Sequence, residues 1–388
     1  MTSVSRRDFL ELATTTTAMG MAAPSLPRLR PRATAGTIAA NQAVHLSGDG
    51  AGLSPPEFAA LLNDLCQKSN VVPDEYCLGG EVERFERSCA ELLGKETAVF
   101  MPTGTLANQL AVRALAKDRR RVLVQEMSHM YNDTGDACQV LSGLNLVPLA
   151  PGKATFTTAD VQKVIERTAS GRVAAQVGAI AIESPVRRLA GEMFDYEEMK
   201  RVAALAKERG IGLHLDGARL FIASAYSGIT PAQYAALFDT VYVSLWKYFN
   251  SGVGAILAGP KSTLDGMFHV RRMFGGNLWA GWPSALVAGH YMQGFLERLR
   301  LAVRVSEDFY TAVGRHAAFT VERISNGTNI TRLKVRQSDL EGFRRRLEQS
   351  GILLPRPADW GGFSLGVNET WNRTTGADLT AAFGRALA

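Results

Sequence analysis

Apolar and polar positions along the chain fall into two rhythms. Beyond residue 80, short runs in which nearly every position is apolar alternate with stretches where apolar residues return every three or four. The runs AVFM, VLVQ, NLVPL, VGAIAIE (177–183), IGLHLD (211–216), TVYVSL (240–245) and GAILAG (254–259) are of strand type. The last four have the character of strands buried on both faces of a parallel sheet. VERFERSCAELLG (82–94), LANQLAVRALA (106–116) and YEEMKRVAALAKERG (196–210) have helical spacing, the first and last closing at a glycine. Repeated strand–helix units predict an α/β fold with helices on both faces of the sheet and ligands at the carboxyl ends of the strands.

After about Gly276 the character changes. One long helical region (282–307) leads to TVERI, TRLKV, a helix at LEGFRRRLEQSG, a short strand FSLGV and a terminal helix. This predicts a smaller α+β domain joined by the long helix. The expected divisions are a leader and linker over 1–35, an N-terminal arm and large domain over 36–276, and the linking helix with the small domain over 277–388.

Composition changes the picture little. The 388 residues are 46% apolar and 21% charged, an ordinary globular balance that excludes a disordered chain or a disulfide miniprotein. No uncharged apolar run reaches the roughly 20 residues of a membrane-spanning helix. Charge matters more. The net +6 is concentrated at the start, where Arg6, Arg7, Arg28, Arg30 and Arg32 stand beside only Asp8 and Glu11. The remainder carries 38 basic and 35 acidic residues, with no basic run interleaved with aromatics to suggest a nucleic-acid face. The leader itself reads SRRDFL and then LELATTTTAMGMAA, and it resembles the export signal of the bacterial twin-arginine pathway. A periplasmic or secreted protein is expected; the alternative is a cytoplasmic enzyme with a basic tail. Cys66, Cys77, Cys89 and Cys138 match no zinc spacing and are expected to be buried free thiols.

Three strand ends carry candidate chemistry. MPTGTLANQ (101–109) runs from a strand through Thr-Gly-Thr into a helix, either an ordinary capped turn or a phosphate site in which Gly104 permits close approach and Thr105 adds a hydroxyl. Asp216, in HLDGARL, is either a solvent-facing loop residue or a carboxylate able to hold a pyridine nitrogen protonated, with Arg219 three residues on. Lys247, in SLWKYFNSGVGAILAG, is either a surface charge or a nucleophile that forms Schiff bases. The order of phosphate cradle, Asp and then Lys is that of a pyridoxal-phosphate (PLP) enzyme.

At this point the chain resembles the threonine aldolase and β-eliminating lyase family of the aspartate-aminotransferase-like fold. The resemblance rests on GKETAVFMPTGTLANQLAV, EMSHMY, LSGLNLVPL, IESPVRRLAGEM, GIGLHLDGARL, FDTVYVSLWK and the RRMFGGNLW region, roughly residues 45–300. It implies a large domain of fold type I with a mostly parallel seven-stranded sheet, and a homodimer or homotetramer. It implies that Lys247 carries PLP, that Asp216 partners the pyridinium nitrogen and that Arg219 helps hold the cofactor. It places Gly104, Thr105 and Ser244 at the phosphate, His129 on the ring face as a proton carrier, and Asp49 and Arg271 near the substrate. The implied reaction is carbon–carbon cleavage of a β-hydroxy-α-amino acid to glycine and an aldehyde. Other PLP chemistry on amino acids (β-elimination, racemisation, transamination) and a non-catalytic PLP-binding module are the alternatives. The chain also departs from the family pattern. Tyr248-Phe249-Asn250 follows the lysine in place of Gly-Leu-Gly, Gly48 stands at a serine position, and FSLGVNE (363–369) holds no arginine for the substrate carboxylate. Arg356 and Arg373 are the substitutes to examine.

Overall fold

The computed structural model describes residues 42–388. The leader, and with it the twin-arginine expectation, lies outside the described residues. The strands are β1 (Val44–His45), β2 (Thr97–Met101), β3 (Arg121–Gln125), β4 (Asn145–Leu149), β5 (Val177–Glu183), β6 (Gly212–Asp216), β7 (Thr240–Ser244), β8 (Ala255–Gly259), β9 (Phe319–Arg323), β10 (Ile330–Val335), β11 (Ile352–Leu353) and β12 (Gly362–Gly366). Helices of eight or more residues are α1 (Pro55–Lys68), α2 (Gly80–Leu93), α3 (Gly104–Ala116), α4 (Thr158–Ala169), α5 (Tyr196–Glu208), α6 (Leu220–Ser227), α7 (Trp282–Met292), α8 (Phe295–Val313), α9 (Leu340–Gln349) and α10 (Gly376–Arg385).

Seven strands form one sheet in the order β2-β8-β7-β6-β5-β3-β4. All seven positions of β5 and all five of β7 are buried, so neither strand shows the alternation of a half-exposed sheet. Strands β4, β3, β5, β6 and β7 pair parallel, while β8 runs antiparallel to both β7 and β2. GAILAG therefore lies in the sheet, but in the opposite direction to the expected parallel arrangement. A run covered on both faces has the same composition either way.

The local chemistry places the helix starts. Thr103 caps α3 by accepting from Leu106 N–H at 3.2 Å. Thr157 and Asp160 form a reciprocal box at the start of α4, and Asp195 caps α5. Gly94 ends α2 in the left-handed conformation at φ 62°.

The expected single helix over 282–307 is two. Helix α7 ends at Met292, and Gly294 at φ 64° turns the chain before α8 begins at Phe295. Beyond α8, an antiparallel sheet in the order β12-β10-β9 packs against α8 and α10. Its core contains the fully buried Phe309, Phe343, Phe363 and Trp371, each contributing about 1.5–3 kcal/mol by leaving water. β1 pairs parallel with β11, tying the N-terminal segment to this C-terminal region. Cys77, Cys89 and Cys138 are buried free thiols, and Cys66 is a half-buried one.

Candidate active site

The carboxyl ends of β5, β6 and β7 open into a cavity of about 950 Å³, walled on another side by the N-terminal segment 47–58. Lys247, Asp216, Arg219, His129 and Asp49, all sequence candidates, line it together with Glu183, Arg187, Tyr242 and Trp246. Adjacent-strand register explains much of the floor. Glu183 and Asp216 are lateral neighbours on β5 and β6, and Asp216 and Tyr242 are lateral neighbours on β6 and β7.

Asp216 is 4% exposed. Its Oδ2 accepts from Asn108 Nδ2 at 2.6 Å, and its Oδ1 from Ala218 N–H at 3.2 Å. Arg219 donates Nε to Asp49 Oδ2 at 2.8 Å, and Asn329 Nδ2 donates to Asp49 Oδ1 at 3.1 Å. Asp49 thereby joins the N-terminal segment, the loop after β6 and the start of β10. Lys247 lies three residues past the end of β7. Burial lowers the pKa of its amine, helped by the Arg219 cation and opposed by the carboxylates of Asp216, Asp49 and Glu183. The shift is toward the neutral, nucleophilic form of the amine. Burial raises the Glu183 pKa, and the neighbouring Asp216 carboxylate raises it further. Glu183 also holds the site in shape: Oε2 accepts from His129 N–H at 2.6 Å and Oε1 from Arg187 N–H at 2.9 Å.

The segment after the lysine turns inward. Tyr248 and Phe249 pack with Phe221 and Phe295 in an aromatic cluster. Asn250 Oδ1 accepts from Ala51 N–H at 2.8 Å, closing the N-terminal segment onto the lysine loop. The departure from the family pattern at 248–250 thus serves packing of this chain.

The remaining candidates lie outside the cavity lining. Gly104, at the start of α3, stands against Tyr242. A Cβ there would meet the tyrosine hydroxyl at 2.0 Å, so this packing demands a glycine whatever else binds nearby. Thr105 follows in the same turn, whose first N–H groups have no intrahelical acceptor. Ser244, at the end of β7, is fully buried and its Oγ has no hydrogen-bond partner. Arg271 is 1% exposed and does not line the cavity. It donates to the carbonyls of Phe100 and Tyr76 and to Asn277 Oδ1, which places it in a structural network of this chain and away from the expected substrate contact. Arg356 is exposed and Arg373 donates to Ala43 O, so neither supplies a guanidinium to the cavity. Within the cavity lining the guanidiniums are Arg187 and Arg219.

Sequence reasoning missed Glu183, Tyr242, Asn108 and His214. Glu183 carried the same signal as Asp216, a carboxylate ending an apolar strand. His214 sits two residues before Asp216 and so on the same face of β6. No local signal marks Asn108, which reaches the site from α3.

A PLP molecule is tested against these groups by its chemistry. An aldehyde needs a buried amine, a pyridine nitrogen needs a carboxylate, and a phosphate needs spare donors. The cavity offers Lys247 and Asp216, and the unpartnered Ser244 hydroxyl stands on β7 beside Tyr242, with the first N–H groups of α3, those of Gly104 and Thr105, close to the same tyrosine. The residues fit. Comparison with known proteins agrees, since the model of the beta-eliminating lyase family matches residues 66–343. The chain belongs to the beta-eliminating lyase family. A low specificity L-threonine aldolase of Saccharomyces cerevisiae is 28% identical over 241 residues, 58% of this chain and 62% of that protein. An alanine racemase, TOXG, of Cochliobolus carbonum is 31% identical over 198 residues, 51% of this chain and 50% of that protein. A solved candidate L-allo-threonine aldolase of Listeria monocytogenes superposes with TM-score 0.73 at 26% identity, over 90% of this chain and 97% of that one. The matched regions span about half to three-fifths of the length of these two curated relatives. Among the described residues there is no metal-binding cluster and no helix long and apolar enough to cross a membrane.

Proposed function

We propose that this protein is a PLP-dependent carbon–carbon lyase that cleaves a β-hydroxy-α-amino acid to glycine and an aldehyde. The observation that carries the proposal is the convergence of Lys247 and Asp216, from the ends of adjacent parallel strands, on one cavity. When bound, PLP supplies a sink for the electron pair left on Cα as the Cα–Cβ bond breaks. Lys247 provides the amine that would hold the cofactor, its pKa lowered chiefly by burial. Asp216 accepts a hydrogen bond from the pyridine nitrogen and keeps a proton there, which strengthens the sink. His129, held by Glu183 through its backbone N–H, presents its ring to the cavity and takes the proton of the substrate's β-hydroxyl. Arg219, steered by Asp49, and Arg187 are the guanidiniums available to a substrate carboxylate. Ser244 and Thr105 are the donors for the phosphate.

The test is release of glycine and aldehyde from L-threonine, L-allo-threonine and phenylserine. Resemblance to TOXG supports a second reading, racemisation, because that step needs only proton movement at Cα. Chiral analysis of alanine incubated with the protein separates the two, and release of no glycine from any of the three substrates overturns the lyase reading.

Two further parts of the proposal concern assembly and location. Tyr76, Leu78, Met273 and Trp279 are 37%, 51%, 77% and 63% exposed, and Tyr76 and Trp279 meet edge to face at 5.0 Å. They support a homo-oligomer, tested by sedimentation. Much of the neighbouring aromatic-rich segment is already used within the chain, since Ala285, Val287 and Ala288 are fully buried. Arg6 and Arg7 support twin-arginine export of the folded, loaded protein.

A further inference from the structure

We propose that Thr240, His214 and Asn108 form a buried hydrogen-bond relay that orients Asp216 and fixes the polarity with which its carboxylate faces the cavity. The inference rests on the reading that the cavity takes a pyridine ring. It concerns positioning residues that do not line the cavity.

The geometry follows from the sheet. His214 and Asp216 alternate onto the same face of β6, and Thr240 on β7 is the lateral neighbour of His214. Helix α3 crosses this face and brings Asn108 between the histidine and the aspartate. The contacts are Thr240 Oγ1 to His214 Nδ1 at 2.8 Å, His214 Nε2 to Asn108 Oδ1 at 2.9 Å and Asn108 Nδ2 to Asp216 Oδ2 at 2.6 Å. Thr240 and His214 are 0% exposed and Asn108 is 1% exposed.

Chemistry decides the direction of every proton. An ionised carboxylate only accepts, so the amide nitrogen of Asn108 faces Asp216 and its oxygen faces His214. That oxygen also only accepts, so His214 carries its proton on Nε2. His214 Nδ1 is then an acceptor, and the Thr240 hydroxyl must donate to it. A charged imidazole would have protons on both nitrogens and would turn the Thr240 hydroxyl into an acceptor, reversing that bond. Burial, which drives the His214 pKa down to about 4, agrees with the neutral ring. All three bonds point the same way, each donor polarising the next, and the last donates the Asn108 amide N–H to the Asp216 carboxylate. Together with the Ala218 N–H on Oδ1, the relay fixes the carboxylate's rotamer.

Other charged or titratable groups face the same space: Glu183 on β5, Tyr242 on β7, Arg219 and Asp49 at the cavity wall, and Lys247 after β7. They are unchanged in the variants that test the relay.

The test uses the PLP-loaded protein and reads the pH midpoint of its visible absorption. In Asn108→Leu the carboxylate loses its strongest donor and draws the ring-nitrogen proton toward itself. The ring then pulls less on electrons and the midpoint should rise by about one pH unit, tenfold in the proton equilibrium, as expected for losing one hydrogen bond to a charged group. Thr240→Val, which touches neither Asp216 nor the cavity, should move the midpoint the same way by less, and Thr240→Ser should leave it in place. Nitrogen magnetic resonance of the unaltered protein should show His214 neutral with its proton on Nε2 between about pH 6 and 8. Should Asn108→Leu fail to fold, Thr240→Val and the resonance measurement decide. A proton on Nδ1, a charged ring at neutral pH, or Thr240→Val with an unmoved midpoint overturns the relay. Absence of any visible band in the unaltered protein overturns the cofactor reading instead, and the tautomer measurement still tests the relay itself.

Discussion

Replacing Gly104 with alanine probes the seam between α3 and the cavity wall. The added methyl would stand 2.0 Å from the Tyr242 hydroxyl oxygen, 2.3 Å from Cζ and 3.0 Å from Cε1. Ordinary contacts of this kind need about 3.5 Å, so something must move by more than about an ångström. Tyr242 is 3% exposed, and its backbone is held on β7 by strands paired on both sides, so its ring can yield only toward the cavity it lines. Either that ring tilts into the cavity or the first turn of α3 lifts away from the sheet, carrying Thr105 with it and straining Asn108 one turn further on. Overpacking of this kind costs about 1–3 kcal/mol. Urea denaturation should show that loss in Gly104→Ala, and PLP titration of the apoprotein should show affinity reduced by about tenfold, equivalent to about 1.4 kcal/mol. Gly384→Ala is the control. That glycine lies on the exposed side of α10 with nothing within 4 Å of the added carbon, so stability should rise by up to about 1 kcal/mol. Adding Tyr242→Phe to Gly104→Ala should recover only part of the loss, because the Cζ contact remains. A Gly104→Ala protein with the unaltered denaturation midpoint and PLP affinity would refute the reasoning.

Three other outcomes are expected, two from the site's geometry and one from the leader sequence. Asp216→Asn should still bind PLP through Lys247 but lose about 10²–10³ in kcat, measured by steady-state release of glycine, because the group that keeps the ring nitrogen protonated is gone. The folded His214 value of about 4 lies below the unfolded 6.5, so its contribution to stability is complete above about pH 6.5 and is lost as the pH falls through about 4. The loss is about 3 kcal/mol in all, and urea midpoints of His214→Asn should fall less steeply between pH 7 and 4.5 than those of the unaltered protein. Changing Arg6 and Arg7 to lysine keeps charge but not guanidinium geometry, and should leave active, PLP-loaded protein in the cytoplasm on fractionation.

What the sequence made legible was the part of the fold written in local pattern. β5, β6 and β7 are mostly apolar and buried because both faces are covered, and Lys247 and Asp216 stand where such runs stop. The antiparallel direction of β8 left no local mark, because a doubly buried strand has the same composition in either direction. The break between α7 and α8 turns on the left-handed conformation of Gly294 within an otherwise helical spacing. The pairing of β1 with β11 joins two residues to two residues across most of the chain, which no local pattern encodes. The same holds for the site. Asn108 and His214 matter through tertiary hydrogen bonds, and Arg271 was placed near the substrate by its position in a motif, whereas its guanidinium is spent on the carbonyls of Phe100 and Tyr76.

The central claim, that Lys247 is the amine that holds PLP, is tested most directly by reducing the loaded protein with borohydride and mapping the labelled peptide by mass spectrometry. The expected result is loss of the visible band and a single pyridoxyl-lysine at Lys247, absent in Lys247→Ala. A label on any other lysine, or a Lys247→Ala protein labelled as fully as the unaltered one, would contradict it.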